Sequence, residues 1–363
     1  MGIKKLFFVF IALFTSFLAE SQEKKFVVHT IAFYNIENFY DTINDPIKRD
    51  DDWVYSKKYF KQKVSNIAKI IAQLGTTENP NAPTIIGLSE IENRSVLETL
   101  VKDPQIARFD YGIIHYDSPD TRGIDCAFLY QKKHFKPTSS INIPLYIYQS
   151  DTKASKKNSD EGDTSTDDKI EVENITKRIF TRDQILLTGF LDKEEMHFIV
   201  NHWPSRRGGE AISSPLREKA AGLNMKIIDS LQRINKDAKI ITMGDLNDGP
   251  FNASIKKILN AKGTKKEVKA LGLYNPMEGM ANKGFGTLAY RDAWDIFDQM
   301  ILSEPFVRLD YSTYHFWKAG IYNKPFMIQP DGRYKGYGLR NNEITPGYSD
   351  HFPVYVYLIK QVQ

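Results

Sequence analysis

One cysteine, Cys126, occurs in 363 residues, so no intrachain disulfide can form and stability has to come from a buried core. Cys126 lies in the apolar run Ile124 to Tyr130 and is expected to be a buried structural thiol. Excess charge of one sign is also lacking: 49 basic residues face 45 acidic ones, a net +4 that falls by one unit without Lys4, Lys5 and Glu20. So small an excess does not establish a nucleic-acid partner. Beyond Leu18 no run approaches the roughly 20 apolar residues of a membrane helix, so no stable span is expected. No internal repeat is visible, which sets aside solenoids and propellers.

The N-terminus carries Lys4-Lys5, an apolar stretch from Leu6 to Leu18, and Ala19-Glu20-Ser21. This pattern reads as a signal peptide over 1–21 with a small-x-small cleavage site, the alternative being an uncleaved anchor. No cysteine follows it to carry a lipid, so a secreted or periplasmic location is expected. The remaining 22–363, about 340 residues, suffices for one large core, and a single monomeric domain is expected. Within it, 149–176 is rich in Asp, Ser, Thr and Lys and is expected to be a mobile surface insertion.

Phe26 to Tyr34 is dense in apolar, aromatic and β-branched residues and predicts a buried strand, with Asn35 and Glu37 just past its end. Phe60, Val64, Ile67, Ile71 and Leu74 recur at helical spacing, and Gly75 predicts the stop. Thr84–Leu88 predicts a short strand before a helix at Ser95–Val101. Further strands are predicted at Gly123–Tyr130, Ile185–Leu191, Met196–Asn201 and Lys239–Met243, with helices near Pro215–Ile234 and Asn252–Leu259. Pro215 fits a first helical turn, and an alternating strand follows Asp350 and His351. Hairpin-like pairs mixed with crossovers indicate a two-sheet α/β sandwich.

What is abundant is chemistry at strand ends. Asn35-Ile36-Glu37-Asn38, Ser89-Glu90, Asn201-His202-Trp203-Pro204, Gly244-Asp245-Leu246-Asn247, Asp298 and Ser349-Asp350-His351 all sit where apolar runs finish or begin. A phosphodiester repels a hydroxide unless cationic charge neutralises the developing anion, and a carboxylate-held divalent ion supplies that charge. Mg²⁺ suits the role because it takes few protein oxygens and keeps waters; Mn²⁺ and Ca²⁺ are alternatives. Glu90 is the first choice of ligand, against a helix-capping glutamate. Asp245 can orient or deprotonate water and Asn247 can hold a phosphoryl oxygen, against an Asp/Asn turn before Gly249-Pro250. His351, with Asp298 orienting its ring, and His202 can serve proton transfer and electrostatics.

In these motifs and their order the chain resembles the endonuclease/exonuclease/phosphatase superfamily, from Phe33 to Pro353. The resemblance implies a four-layer α/β/β/α sandwich with the site at one mouth of the paired sheets. It implies Asn35 as a phosphate or metal-shell group, Glu37 as an acid behind the metal or on it, and Glu90 as principal metal ligand. Asp245 and Asn247 would align water and phosphate, Asp298 would pair with the terminal histidine, and Asp350 and His351 would contribute metal binding and transition-state contact. His202 matches the nuclease-like branch. Arg122 resembles a substrate-side arginine, with a plain loop arginine as the equal alternative.

These features predict a secreted, Mg²⁺-dependent phosphodiesterase, specifically an endonuclease acting on nucleic acid. A phosphomonoesterase or a sphingomyelinase-like lipid diesterase shares the chemistry, and Phe316-Trp317 bears on the latter. A noncatalytic binding protein on the same fold is the rival of another class. Arg206-Arg207 and Lys265-Lys266 read either as a basic rim or as solvated surface.

Overall fold

A strand covered on both faces needs apolar residues at both parities, and the first strand meets that condition. Ile31 and Phe33 enter one buried cluster while Ala32 and Tyr34 enter another. The computed structural model describes residues 25–48, 54–151 and 177–362. The expected signal at 1–21 and the 152–176 part of the expected insertion lie outside the described residues; 149–151 form one short turn of helix.

In chain order the strands are β1 (Phe26–Phe39), β2 (Ile85–Ile91), β3 (Tyr111–His115), β4 (Asp125–Gln131), β5 (Phe135–Ile143), β6 (Ile147–Tyr148), β7 (Arg178–Ile179), β8 (Gln184–Leu191) and β9 (Glu194–His202). They continue as β10 (Ile240–Asp245), β11 (Leu273–Tyr274), β12 (Leu288–Tyr290), β13 (Ala293–Asp295), β14 (Asp298–Ser303), β15 (His315–Ile321) and β16 (Val354–Gln361). One sheet runs β15-β16-β1-β2-β4-β3 and the other β11-β14-β10-β9-β8-β5, with two small ribbons, β12-β13 and β6-β7, beside them.

Each large sheet has one parallel pair, β1 with β2 and β9 with β10, and the other neighbours are antiparallel. A parallel pair requires a crossover. Helix Lys57–Gln73 provides it in the first sheet and helix Glu210–Ile234 in the second. The sheets face each other across Ile31, Phe33, Phe128, Phe198, Met243 and Val356. The first helix covers Ala32, Ile86 and Leu88 with Ile67, Ile70 and Ile71; the second covers Ile199, Ile240 and Ile301 with Ala220, Ile227 and Ile228. The order of layers is therefore helix, sheet, sheet, helix, as expected.

Helix Lys57–Gln73 opens on Ser56, whose side chain accepts from the Tyr59 N–H, and closes before Gly75 at φ 73°. A Cβ there would lie 2.4 Å from Thr30 Cγ2, so Gly75 is required by close approach as well as by its left-handed backbone. Three expectations need correction. Helix Glu210–Ile234 starts ahead of Pro215, which lies inside it, where the missing N–H leaves the Ala211 carbonyl without its usual donor. The helix expected at Asn252–Leu259 is a single wide turn closed by Leu259 N–H to Ser254 O at 3.0 Å, too short for a helix face. The first strand runs on to Phe39, because Asn35 still pairs with Ser89 before the register shifts.

Candidate active site

Parallel strands in both sheets end at the same mouth of the sandwich, and their antiparallel neighbours begin there. Asp245, the last residue of β10, lies in register with His202 on β9 and with Asp298 at the start of β14. Across the mouth, Asn35 pairs with Ser89 one residue before Glu90, and His351 precedes β16, the antiparallel neighbour of β1. Topology thus gathers the six sequence clusters.

The backbone is bent to aim them. Glu37, Asn38, Glu90 and Asn247 have φ of 51°, 49°, 64° and 48°, a region in which non-glycine residues are strained. Both β1/β2 and β2/β4 shift register at Glu37, Asn38 and Glu90, so bulges accompany the bend there.

Asp245 is the hub. Its Oδ2 accepts from Asn35 Nδ2 at 3.1 Å and lies 3.4 Å from His202 Nε2 and 3.8 Å from His351 Nε2. Its Oδ1 accepts the Asn247 N–H at 3.0 Å. Burial pushes the Asp245 carboxyl up to about 6; His351 pulls it down and Asp298 pushes it further up. His351 Nδ1 lies 2.8 Å from Asp298 Oδ2. Burial opposes its charge, but Asp298, Asp245 and Asp350 outweigh that and hold the imidazolium well above the ordinary 6.5. His202 goes the other way. Burial, then the cations Arg182, Arg122 and His351, push it well below 6.5, so it is a neutral imidazole.

Glu90 Oε2 accepts the Asn38 N–H at 2.8 Å. Among the described residues its Oε1 has only long contacts, 3.5 Å to Asn35 Nδ2 and 3.9 Å to both His202 Nε2 and Arg122. An anionic oxygen so weakly satisfied by them fits a hard cation such as Mg²⁺. Asp350, on the rim, has Oδ2 3.4 Å from Arg340 and fits as a second donor. Of the two places the resemblance allows Glu37, behind the metal or on it, its contacts favour the first. It is buried, its Oε2 accepts the Asn341 N–H at 2.8 Å, and its Oε1 lies 3.4 Å from Arg340. Burial and the Asp350 charge push it up to about 7, with Lys63 beneath pulling the other way. Glu37 therefore holds Arg340, which in turn lies 3.4 Å from Asp350.

Asn247 is also more committed than expected: its Nδ2 donates to the Trp203 carbonyl at 3.0 Å. Arg206, read as one half of a basic rim, turns inward instead. Its Nε donates to the Asn247 carbonyl at 2.9 Å, and its guanidinium lies 3.3 Å from Asp295 and 4.4 Å from the Phe297 ring centre. Arg122 stays half-exposed at the edge of a cleft of about 510 Å³ lined by Asp41, Lys48, Glu92 and Asp117. Phe316 points into the core and Trp317 is on strand β15, so they form no apolar hairpin.

Arg182 was missed. Buried at the entrance to β8, it donates to Asp120 Oδ2 at 2.9 Å, to the His202 carbonyl at 3.2 Å and to the Trp203 carbonyl at 2.7 Å. It thereby ties the Arg122 loop to the end of β9. The only signal was a charged Arg182-Asp183 pair opening an apolar strand. Cys126 is buried and burial pushes its thiol up, as a structural cysteine should be.

A mixed double sheet with an acid, amide and histidine site at the carboxyl ends of its parallel strands defines a phosphoester hydrolase of the deoxyribonuclease I type. The chain belongs to the endonuclease/exonuclease/phosphatase family, whose sequence profile matches residues 30–159 and 162–360. No curated protein matches it. Among solved structures, TDP2 from D. rerio complexed with a single-strand DNA product aligns with a TM-score of 0.51 at 12% identity, over 91% of this chain and 98% of that one. A family member from Bacteroides thetaiotaomicron gives 0.50 at 17% identity, over 93% and 96%. A mannosyl-6-phosphatase from the same species gives 0.50 at 16%, over 91% and 99%. At these identities the likeness is one of fold.

Proposed function

We propose that this protein is an exported, divalent-metal-dependent phosphodiesterase that cleaves nucleic acid as an endonuclease. The observation that carries the chemistry is the Asp245 Oδ2 hub, within 3.8 Å of Asn35, His202 and His351. Export rests on the Lys4-Lys5 and Leu6–Leu18 pattern. Nucleic acid is favoured by Arg122, a half-exposed cation 3.9 Å from Glu90 at an open cleft, placed to meet a flanking phosphate.

A divalent ion on Glu90, with Asp350 as second donor, would neutralise charge on the phosphoryl oxygens. Asp245, with its carboxyl near 6, is poised at neutral pH to orient the attacking water and take its proton. Asn35 fixes that carboxylate through Nδ2, and Asn247 fixes it through its backbone N–H. The His351 imidazolium, held by Asp298, faces the charge that develops on phosphorus oxygens. Neutral His202 faces the same centre, its Nε2 3.4 Å from Asp245 Oδ2.

Hydrolysis of plasmid DNA, RNA, sphingomyelin, a sugar monophosphate and a bis-aryl phosphodiester, with Mg²⁺ and with chelator, tests the proposal. Metal-dependent nicking of DNA is the expected result. Activity confined to the monoester or lipid would keep the chemistry and remove the nucleic-acid substrate. Glu90→Gln should weaken Mg²⁺ activation with little change in Tm, because its amide oxygen can still accept the Asn38 N–H. Unaltered metal dependence would remove the Glu90 assignment.

A further inference from the structure

A second cluster of metal-ligating side chains lies at the opposite end of the sandwich. His29 is six residues before Asn35 on β1, about 20 Å back along the strand from the catalytic mouth. His134 is in the turn between β4 and β5, and Asp192 is in the two-residue turn joining β8 to β9. His29 Nε2 lies 2.7 Å from Asp192 Oδ2, and His134 Nδ1 lies 3.3 Å from Asp192 Oδ1. One ligand atom from each of the three falls within 4.8 Å of the others.

We propose that His29, His134 and Asp192 form a transition-metal site of the Zn²⁺ class that clamps the two sheets together. Two imidazoles and one carboxylate select such an ion over Mg²⁺, which takes oxygen ligands. Without metal, His29 Nε2–H donates to Asp192 Oδ2 and Nδ1 accepts from the Thr84 hydroxyl, 2.7 Å away; an ion entering between them would replace the Nε2 proton, and the tautomer with Nδ1–H donating to Thr84 Oγ1 would free the Nε2 lone pair for it. Asp192 is oriented as a ligand should be, by the Tyr314 hydroxyl donating to Oδ2 at 2.8 Å. The turn is held too: the Asp192 N–H donates to the His134 carbonyl at 3.0 Å. Asp192 and Lys193 take φ of 44° and 78°, the tight turn that brings the carboxylate to a ring nitrogen of each histidine.

His29 is buried while His134 and Asp192 remain 25% and 35% exposed, so one side of the site is open to an entering ion and to a water in the fourth position. His29 belongs to one sheet and Asp192 to the other, so an ion here would bridge them where no disulfide can.

The test is equilibrium binding of Zn²⁺, and of Co²⁺ read by its visible d–d bands, to the chelator-stripped chain, with Tm recorded with and without metal. The wild type should bind and rise in Tm. His134→Ala and Asp192→Asn should each weaken binding more than tenfold, and Thr84→Val by about 10–100-fold. Glu90→Gln, which removes a ligand only at the catalytic mouth, should keep the Co²⁺ bands that His134→Ala loses. His134 is partly exposed, so His134→Ala decides the matter if the other variants misfold. Unchanged affinity in His134→Ala, loss of those Co²⁺ bands in Glu90→Gln, or no binding by the wild type would each overturn the proposal.

Discussion

At the scale of the residue, the site works by giving identical groups different surroundings. His202 and His351 both lie near Asp245, yet one is driven neutral by burial and neighbouring cations and the other is held charged by Asp298. Asp245→Asn removes proton acceptance and should lower kcat by about 10²–10⁴-fold with KM little changed; a raised KM at intact kcat would make it a binding residue. His351 has a folded-state pKa above the unfolded one, so its contribution to stability is complete below pH 6.5 and fades as pH rises through the folded value. Thermal melts in chelator should therefore show stability declining on the alkaline side, and His351→Gln should flatten that slope. Parallel slopes would mean the pair is not ionised as described. Glu90, Asp245, Asp298 and His351 were legible as residues because acids and imidazoles bordering apolar runs are rarely placed there for packing. Glu37 looked equally good in sequence, and only its burial, with Oε2 accepting from Asn341 and Oε1 3.4 Å from Arg340, separates it from Asp350 on the rim.

At the scale of the element, legibility followed periodicity. The helix at Lys57–Gln73 and strands β2, β8, β9 and β10 have apolar spacing that one dominant period explains. Residues 252–259 have a helical composition without enough length to bury a face, and tertiary contacts shaped them into one wide turn. Strand β10 carries a requirement no pattern signals: a Cβ on Gly244 would lie 2.2 Å from the Asn201 carbonyl of β9. Gly244→Ala should cost about 1–3 kcal/mol and, by displacing Asp245, depress kcat as well. Denaturant melts and kinetics on the same sample would check both, and wild-type values would disprove the close approach.

At the scale of the molecule, the two sheets are halves of one device, each with a single parallel pair whose carboxyl ends face the mouth. Phe128 and Phe198, on different sheets, pack in the shared interior. Phe128→Ala should cost about 3–5 kcal/mol and loosen the relation between Glu90 and Asp245, seen as lost Tm together with weakened Mg²⁺ activation. Retained metal activation in the destabilised variant would show that the mouth is held by its hydrogen bonds alone.

The sequence by itself determined the class of fold, the family and the residues able to do phosphoester chemistry. The fold class and the candidate residues follow from side-chain type and from spacing within a dozen residues, which local backbone geometry reads directly; the family follows from the resemblance carried by the order of the motifs from Phe33 to Pro353. Tertiary structure decided which of those residues meet. Asn35 and Asp245 are 210 positions apart and touch only because two separate sheets stack in one register. It also decided that Arg182 underpins the site, that Arg206 leaves the rim, and that His29, His134 and Asp192 converge at the far end. Contacts between distant segments depend on how strands pair and sheets pack, and no local pattern in the chain encodes that.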